Sequence, residues 1–386
     1  MKTHIIGTGH THFGKLGQSL EELIAEAAAE ALESSGVSAE DIDAVYVGNF
    51  NSGMCDQEFP ASLILNSQPA LRFKPTTRVE NACASGSAAI HQGINSIEAG
   101  AQRVLVIGVE KMTDADAGRI GKGLLGASYQ PETQGEKAGF AGVFAKVAES
   151  YFQAYGDKSL ELARVAAKNH ANGVHNPHAQ LKKDLGVEFC HDISEKNPVV
   201  AAPLRRTDCS PVSDGAAAIL LASEDVARAA AQRVRFLGIS QVTDYMPMSK
   251  RDPIVLEGAS RAWQQALVEA GITLDDLSFA EVHDCFTIAE LMIYESMGLT
   301  AYGEGARAIN EGWVMKDGRL PVNPSGGLKA KGHPVGATGV SMHVMAARQL
   351  LDQAGGCQIP GARLGAVFNM GGMAVANYAS ILTRDA

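Results

Sequence analysis

Positive charge and aromatic rings are both in short supply in this 386-residue chain. Lys and Arg number 33 against 43 Asp and Glu, a net charge of −10, and aromatics make up 6% of residues. That balance argues against a general nucleic-acid or anionic-membrane partner, while a local basic patch for a phosphorylated ligand stays open. No two of the six cysteines (Cys55, Cys83, Cys190, Cys209, Cys285, Cys357) form a CxxC pair. Neither a disulfide framework nor a zinc ribbon is therefore expected, and a reduced, intracellular setting fits. No apolar run is long and charge-free enough to span a bilayer, and the opening MKTHIIGTGH lacks a signal-peptide core. Thr383-Arg384-Asp385-Ala386 does not read as a peroxisomal address. A soluble, cytoplasmic protein is the expectation. What the chain has in quantity is small and apolar, with 46% hydrophobic residues and 41 glycines. That is enough for a large core and two or three domains, with elements packed closely in α/β layers.

Strand-like and helix-like stretches alternate, and the alternation runs twice. Residues 3–9, 43–48, 103–108 and 216–222 read as strands. Between the first two, residues 19–35 have helical periodicity, with Ser19 and Glu22 placed as a capping box and Gly36 as a stop. A second series follows: strand 234–239, helix 258–270, strand 279–282, helix 339–351, and strands 364–368 and 374–382. Gly36-Val37-Ser38-Ala39-Glu40-Asp41-Ile42 parallels Gly271-Ile272-Thr273-Leu274-Asp275-Asp276-Leu277, and residues 103–107 parallel 363–367. The shared order points to a duplicated βα unit. The alternative is that any two αβ stretches share a glycine–apolar–acidic pattern. The two halves are expected at 1–112 with 215–230, and at 231–386. Residues 113–214 are richer in Gly, Lys, His and Asn, with helical stretches at 143–155 and 160–171. They read as an insertion covering a site rather than a disordered linker.

Four segments carry chemistry. In Asn81-Ala82-Cys83-Ala84-Ser85-Gly86 a short extended piece runs into a helix of small residues, with Cys83 expected at its N-terminus. There the macrodipole favours thiolate, and free N–H groups can hold an oxyanion. Equally, a cysteine is often a small buried apolar residue. In Asn323-Pro324-Ser325-Gly326-Gly327-Leu328-Lys329-Ala330-Lys331-Gly332-His333-Pro334-Val335-Gly336-Ala337-Thr338-Gly339 glycines surround one histidine. His333 is the group to take a proton from a thiol near neutral pH, or else a structural residue. A phosphate cradle lacks its GxxxxGK[ST] spacing. Glu281-Val282-His283-Asp284-Cys285-Phe286 ends a strand, with His283 and Cys285 both able to face a cleft; a metal pair is the rival, without further spaced ligands. Last, Asn369-Met370-Gly371-Gly372 ends another strand in a glycine pair that brings a backbone N–H to a substrate or forms a turn.

These four segments, in this order and across essentially the whole chain, resemble the thiolase family. His283-Asp284-Cys285-Phe286 resembles the branch of the sterol carrier protein-linked thiolases and their bacterial and archaeal relatives. Conventional thiolases carry Asn-Glu-Ala-Phe there, and a second catalytic cysteine in a Cys-x-Gly turn where this chain has Asn369-Met370-Gly371. The resemblance implies an α/β fold of two mixed five-stranded sheets in α/β/α/β/α layers, with an inserted domain covering a coenzyme A site. It implies reversible condensation of acyl-CoAs, or thiolysis of 3-ketoacyl-CoA, through an acyl group on Cys83. His333 is then the base for Cys83, and Cys285 exchanges the α-proton. His283 donates to the enolate oxygen with a water or His333, and the N–H groups of Cys83 and Gly371 or Gly372 form a second oxyanion hole. Coenzyme A and acyl-CoA are substrates, and neither a permanently bound cofactor nor a metal is implied. A homodimer or tetramer is expected, and some relatives work beside a small OB-fold, zinc-containing protein. Rival readings are a condensing enzyme with another acceptor and a subunit active only with that partner. His170, His175 and His178 are expected to be structural parts of the insertion, and His10 and His12 to lie on a solvated loop.

Overall fold

Local signals set the outer elements. In the computed structural model, which describes residues 1–385, Ser19 and Glu22 close both halves of a capping box, and the helix Leu20–Ser35 stops at Gly36 with φ 67°. Its counterpart, Glu257–Ala270, stops at Gly271 with φ 68°. Glycine enters that left-handed conformation without a Cβ penalty.

The strands are β1 (Thr3–His10), β2 (Ala44–Gly48), β3 (Thr76–Val79), β4 (Arg103–Glu110), β5 (Val199–Ala201), β6 (Leu204–Arg205), β7 (Gly215–Ser223), β8 (Val234–Thr243), β9 (Phe279–Val282), β10 (Leu364–Gly371) and β11 (Ala376–Arg384). Nine form one mixed sheet in the order β3-β2-β4-β7-β1-β8-β11-β10-β9, and β5-β6 is a separate hairpin. The order reads outward from the middle as the same pattern twice. In one half β2 and β4 are parallel and β4, β7 and β1 antiparallel; in the other β9 and β10 are parallel and β10, β11 and β8 antiparallel. Within the sheet, the two halves join through His4–Arg235 and Ile5–Val234. The duplication read from the sequence is thus the architecture. One detail differs: the second half has four regular strands, and its fifth position holds a single bridge, Ala280–Val322. Pro321 and Pro324 flank that bridge, and proline has no N–H to give a ladder.

The helices Ser85–Glu98 and Val335–Leu350, one from each half, pack on each other in the middle layer, and the second touches strands of both halves. They meet almost backbone to backbone. A Cβ on Gly339 would lie 2.3 Å from the Ser87 nitrogen, and one on Gly86 2.8 Å from the Val340 nitrogen. The helix after His333 therefore starts at Val335, four residues before the expected Gly339. Its glycines serve close packing, not loop conformation. Residues 327–331 are helical too, so the glycine-rich stretch divides into two turns, residues 323–326 with Gly326 at φ 97° and Gly332-His333-Pro334 with Gly332 at φ 117°.

Between β4 and β7 the chain folds into helices that include Ala117–Leu125, Phe140–Tyr155 and Ser159–Gly173, together with β5-β6. The last two helices were expected, each a few residues shorter. His10 corrects a reading. It is buried on β1, its ring between the Thr11 carbonyl at 2.6 Å and Ser341 Oγ at 2.7 Å, and not on a solvated loop. Among the described residues no helix is long and apolar enough to cross a membrane.

Gly238 in β8 is where the outer helix Glu257–Ala270 comes closest, since a Cβ there would lie 2.3 Å from the Ala266 carbonyl oxygen. Gly238→Ala is expected to destabilise the protein by about 1–3 kcal/mol. The check is a lower urea midpoint with an unchanged slope. Gly17→Ala, with nothing within 4 Å of its Cβ, should leave the midpoint in place.

Candidate active site

The chain leaves β3 and turns sharply into the middle helix. Ala82 sits in the left-handed region at φ 50°, a conformation that costs an L-residue roughly 1 kcal/mol. The following residue, Cys83, lies two positions before the helix Ser85–Glu98 begins. Its thiol is buried, and burial pushes its pKa up to about 12, against the opposing pull of the Gly372 and Cys83 N–H groups. The thiolate expected at a helix start is therefore not the resting state. Loss of hydration outweighs the helix end.

Two imidazoles face the sulfur. The Cys83 sulfur and one ring nitrogen of each of His283 and His333 lie within 4.8 Å of one another. The two rings are 5.1 Å apart at 85°. Their partners fix their tautomers. Thr338 Oγ1 donates to the Pro334 carbonyl at 3.0 Å, so it accepts from His333 Nδ1 at 2.7 Å. That leaves the His333 Nε2 lone pair for a proton. For His283 the logic runs through Asn369. The Cys83 carbonyl can only accept, so the side-chain atom 3.3 Å from it is the Asn369 amide nitrogen. The same nitrogen lies 2.9 Å from His283 Nδ1 and donates to it. His283 thus carries its proton on Nε2, which is buried with no protein partner. Burial lowers the pKa of His333 to about 3, with the Lys331 ammonium adding to the effect, and holds that of His283 well below its ordinary value. Both rings are neutral near pH 7.

Cys285 follows β9, and its carbonyl accepts from the Ser210 N–H at 2.9 Å. Burial, then the nearby Cys83, pushes its thiol well up. Cys83, Cys285 and His333 open together on a cavity of about 290 Å³. Its walls come largely from the segment between β4 and β7: Ile120, Leu124, Phe140 and Val212 among others. Gly372, at φ 62°, turns its N–H to the Cys83 sulfur. Gly371 answers a different need, since a Cβ there would lie 2.3 Å from the Asn81 carbonyl oxygen.

The middle residue of the His-Asp-Cys-Phe run is a strut. Asp284 accepts from the Leu328 and Lys329 N–H groups at 2.6 and 3.1 Å and from Asn169 at 2.7 Å. Asn172 and Asn176 bind the carbonyls of Asn323 and Ser325 at 3.0 and 2.8 Å. The Asn-rich stretch of the segment between β4 and β7 is thereby locked onto residues 323–325 and, through Asp284, onto the short helix 327–331 that leads to His333.

Two family models match the chain. Thiolase, N-terminal domain, matches residues 3–225, and Thiolase C-terminal domain-like matches residues 240–384. The chain belongs to the thiolase family. An acetyl-CoA acetyltransferase of Methanothermobacter thermautotrophicus is 37% identical, over 95% of this chain and 96% of its own. Human sterol carrier protein 2 is 30% identical, over 96% of this chain and 70% of its own. Among solved structures, an Ltp2-ChsH2(DUF35) aldolase superposes with a TM-score of 0.84 at 22% identity, covering 100% of this chain and 98% of that one, which shows the shared fold.

Within this thiolase, Cys83, His283 and His333 are the only group of potential metal-ligating side chains among the described residues. One cysteine and two imidazoles are a donor set that suits zinc. The hydrogen bonds speak against it here. His283 Nδ1 is held by a donor, so its Nε2 presents a proton where a metal needs a lone pair. His170, His175 and His178 form no such group. Three contributors escaped the sequence reading: Thr338 and Asn369, which set the two tautomers, and Cys209, a third thiol on the cavity wall. The first two lay within the quoted motifs as ordinary polar residues, and only the fold reveals which rings they touch.

Because burial keeps Cys83 a thiol, its alkylation by iodoacetamide should climb about tenfold per pH unit from about pH 6 to about pH 9 without levelling. A plateau below about pH 7 would instead mean a resting thiolate–imidazolium pair. The measurement is the inactivation rate of the free enzyme against pH.

Proposed function

We propose that this thiolase is an acyl-CoA C-acyltransferase working through an acyl thioester on Cys83, by thiolysis of 3-ketoacyl-CoA and the reverse condensation. The observation that carries the reading is the meeting of the Cys83 sulfur with the His333 and His283 nitrogens within 4.8 Å, where Cys83, His333 and Cys285 line one cavity and His283 is buried beside it.

In thiolysis, His333 Nε2 takes the Cys83 proton as the sulfur attacks the 3-keto carbonyl. The oxygen that becomes negative is held by the N–H groups of Cys83 and Gly372; Gly371 shapes the approach. Losing one such donor costs roughly 3 kcal/mol of barrier. The carbon–carbon bond then breaks, and the departing enolate oxygen meets the unpartnered Nε2–H of His283 and the protonated His333. Cys285 gives the enolate carbon its proton, and burial makes the resulting thiolate basic enough to recover it. The proton returns from the incoming coenzyme A thiol as it attacks acyl-Cys83, and His333 restores the Cys83 thiol. Condensation is the same path reversed. No permanently bound cofactor is required by these steps; coenzyme A and acyl-CoA are substrates.

Residues 113–214, as an inserted domain over halves 1–112 with 215–230 and 231–386, supply the cavity walls against which coenzyme A would lie. A second copy of the chain suits the open edge of β3, where Phe59 and Phe73 are 76% and 89% exposed. A homodimer, or a dimer of dimers, in the cytoplasm and in fatty-acid or lipid metabolism, is the setting proposed. A small OB-fold, zinc-containing partner is the alternative assembly. Turnover that appears only on adding such a protein would favour it.

Two measurements test the chemistry. Peptide mass analysis after exposure to acetyl-CoA should place an acetyl group on Cys83, and persistent absence of that label in active protein would sink the proposal. Cys285→Ala should still acylate while losing about 10²–10⁴-fold in acetoacetyl-CoA thiolysis. If thiolysis survives, another group handles the α-proton.

A further inference from the structure

We infer that Asn369 is a positioning residue that locks His283 in the tautomer presenting Nε2–H to the reacting oxygen, making His283 an oxyanion donor and denying it to a metal. The inference rests on the acyl-Cys83 reading and assigns a task within it.

Asn369 is fully buried on β10 and makes three bonds, each to a separate part of the site. Its Oδ1 accepts from Ser87 Oγ on the middle helix at 2.9 Å. Its amide nitrogen reaches the Cys83 carbonyl at 3.3 Å and His283 Nδ1 at 2.9 Å. The Cys83 carbonyl fixes the amide's orientation, since a flipped side chain would set oxygen against the carbonyl oxygen, and the Ser87 hydroxyl donates to the Oδ1 so placed. With the amide fixed, His283 Nδ1 can only accept. A neutral imidazole then has its single proton on Nε2, the atom left buried without a partner. An unpartnered buried N–H is costly unless a ligand completes it. The enolate oxygen is the acceptor this reaction supplies, at the moment when the negative charge forms. The same lock bears on the Cys–His–His cluster. Three lone pairs so close would invite a zinc ion, which would occupy the nucleophile and stop turnover. A proton on one of the three ligand atoms removes that liability at no cost in catalytic groups.

Asn369→Asp tests the lock by reversing one bond. An ionised carboxylate accepts from Nδ1–H and leaves a lone pair at His283 Nε2. Asn369→Ala removes the bond without reversing it. The expected result is that thiolysis of acetoacetyl-CoA falls about 10²–10³-fold in the Asp variant, while acetylation of Cys83 falls far less. Only the Asp variant should also gain a cobalt(II) thiolate charge-transfer absorption and inhibition by micromolar zinc. Equal losses in the two variants with no cobalt signal would reduce Asn369 to packing and overturn the inference. Should the Asp variant fail to fold, the wild-type tautomer is read directly. Two-bond ¹H–¹⁵N correlation on ¹⁵N-histidine protein should show an Nε2–H pattern for the ring missing in His283→Gln, and an Nδ1–H pattern refutes the lock. Failure of wild-type acetylation strikes the acyl-Cys83 reading instead, so the two outcomes stay separate.

Discussion

Two helices touching without side chains between them set the geometry of everything else. Gly86 and Gly339 let Ser85–Glu98 and Val335–Leu350 approach until a single added carbon would collide with backbone. The pair comes from equivalent places in a duplicated unit, so both helices begin at the same end of the contact. Cys83 lies two residues before one start, and His333 two residues before the other. The proposed nucleophile and its proposed base are therefore related by the duplication, and both sit next to the same close helix contact.

Burial is the second constraint, and it works on every titratable group of the site in one direction. Thiols are pushed up and imidazoles down, so that the resting site holds no net charge on Cys83, Cys285, His283 or His333. Charge appears only when substrate supplies a carbonyl to receive it. In the proposed mechanism the N–H groups of Gly372, Cys83 and His283 then meet that charge in a buried site, where each is worth more than on an open surface. The cavity beside these groups is walled by Ile120, Leu124 and Phe140 among others, which present apolar surface to it.

Much of this was legible before any coordinates. The capping box at Ser19 and the stops at Gly36 and Gly271 are local chemistry, and local chemistry is readable. Strand β9 matched its expected residues, Phe279–Val282. The glycine-rich stretch misled for a reason that is equally physical. Glycine serves loops through its freedom and helices through its missing Cβ, and a sequence does not say which is in use. His10 was misplaced likewise: a histidine beside a threonine is ordinary on a surface, and it is contacts far along the chain, with Ser341 and His178, that make it a core residue.

The chain's own order of residues determined which groups could do chemistry: a cysteine before a run of small residues, a histidine among glycines, a His-Asp-Cys turn at a strand end. It determined the repeated βα order too, because periodicity and caps act over a few residues. Tertiary structure alone decided the protonation of those groups. Asn369 and His283 are 86 positions apart, and Ser87 and Asn369 are 282 apart. Tautomers and pKa values depend on contacts at such separations and on the water excluded around them, and neither is a property of neighbouring letters.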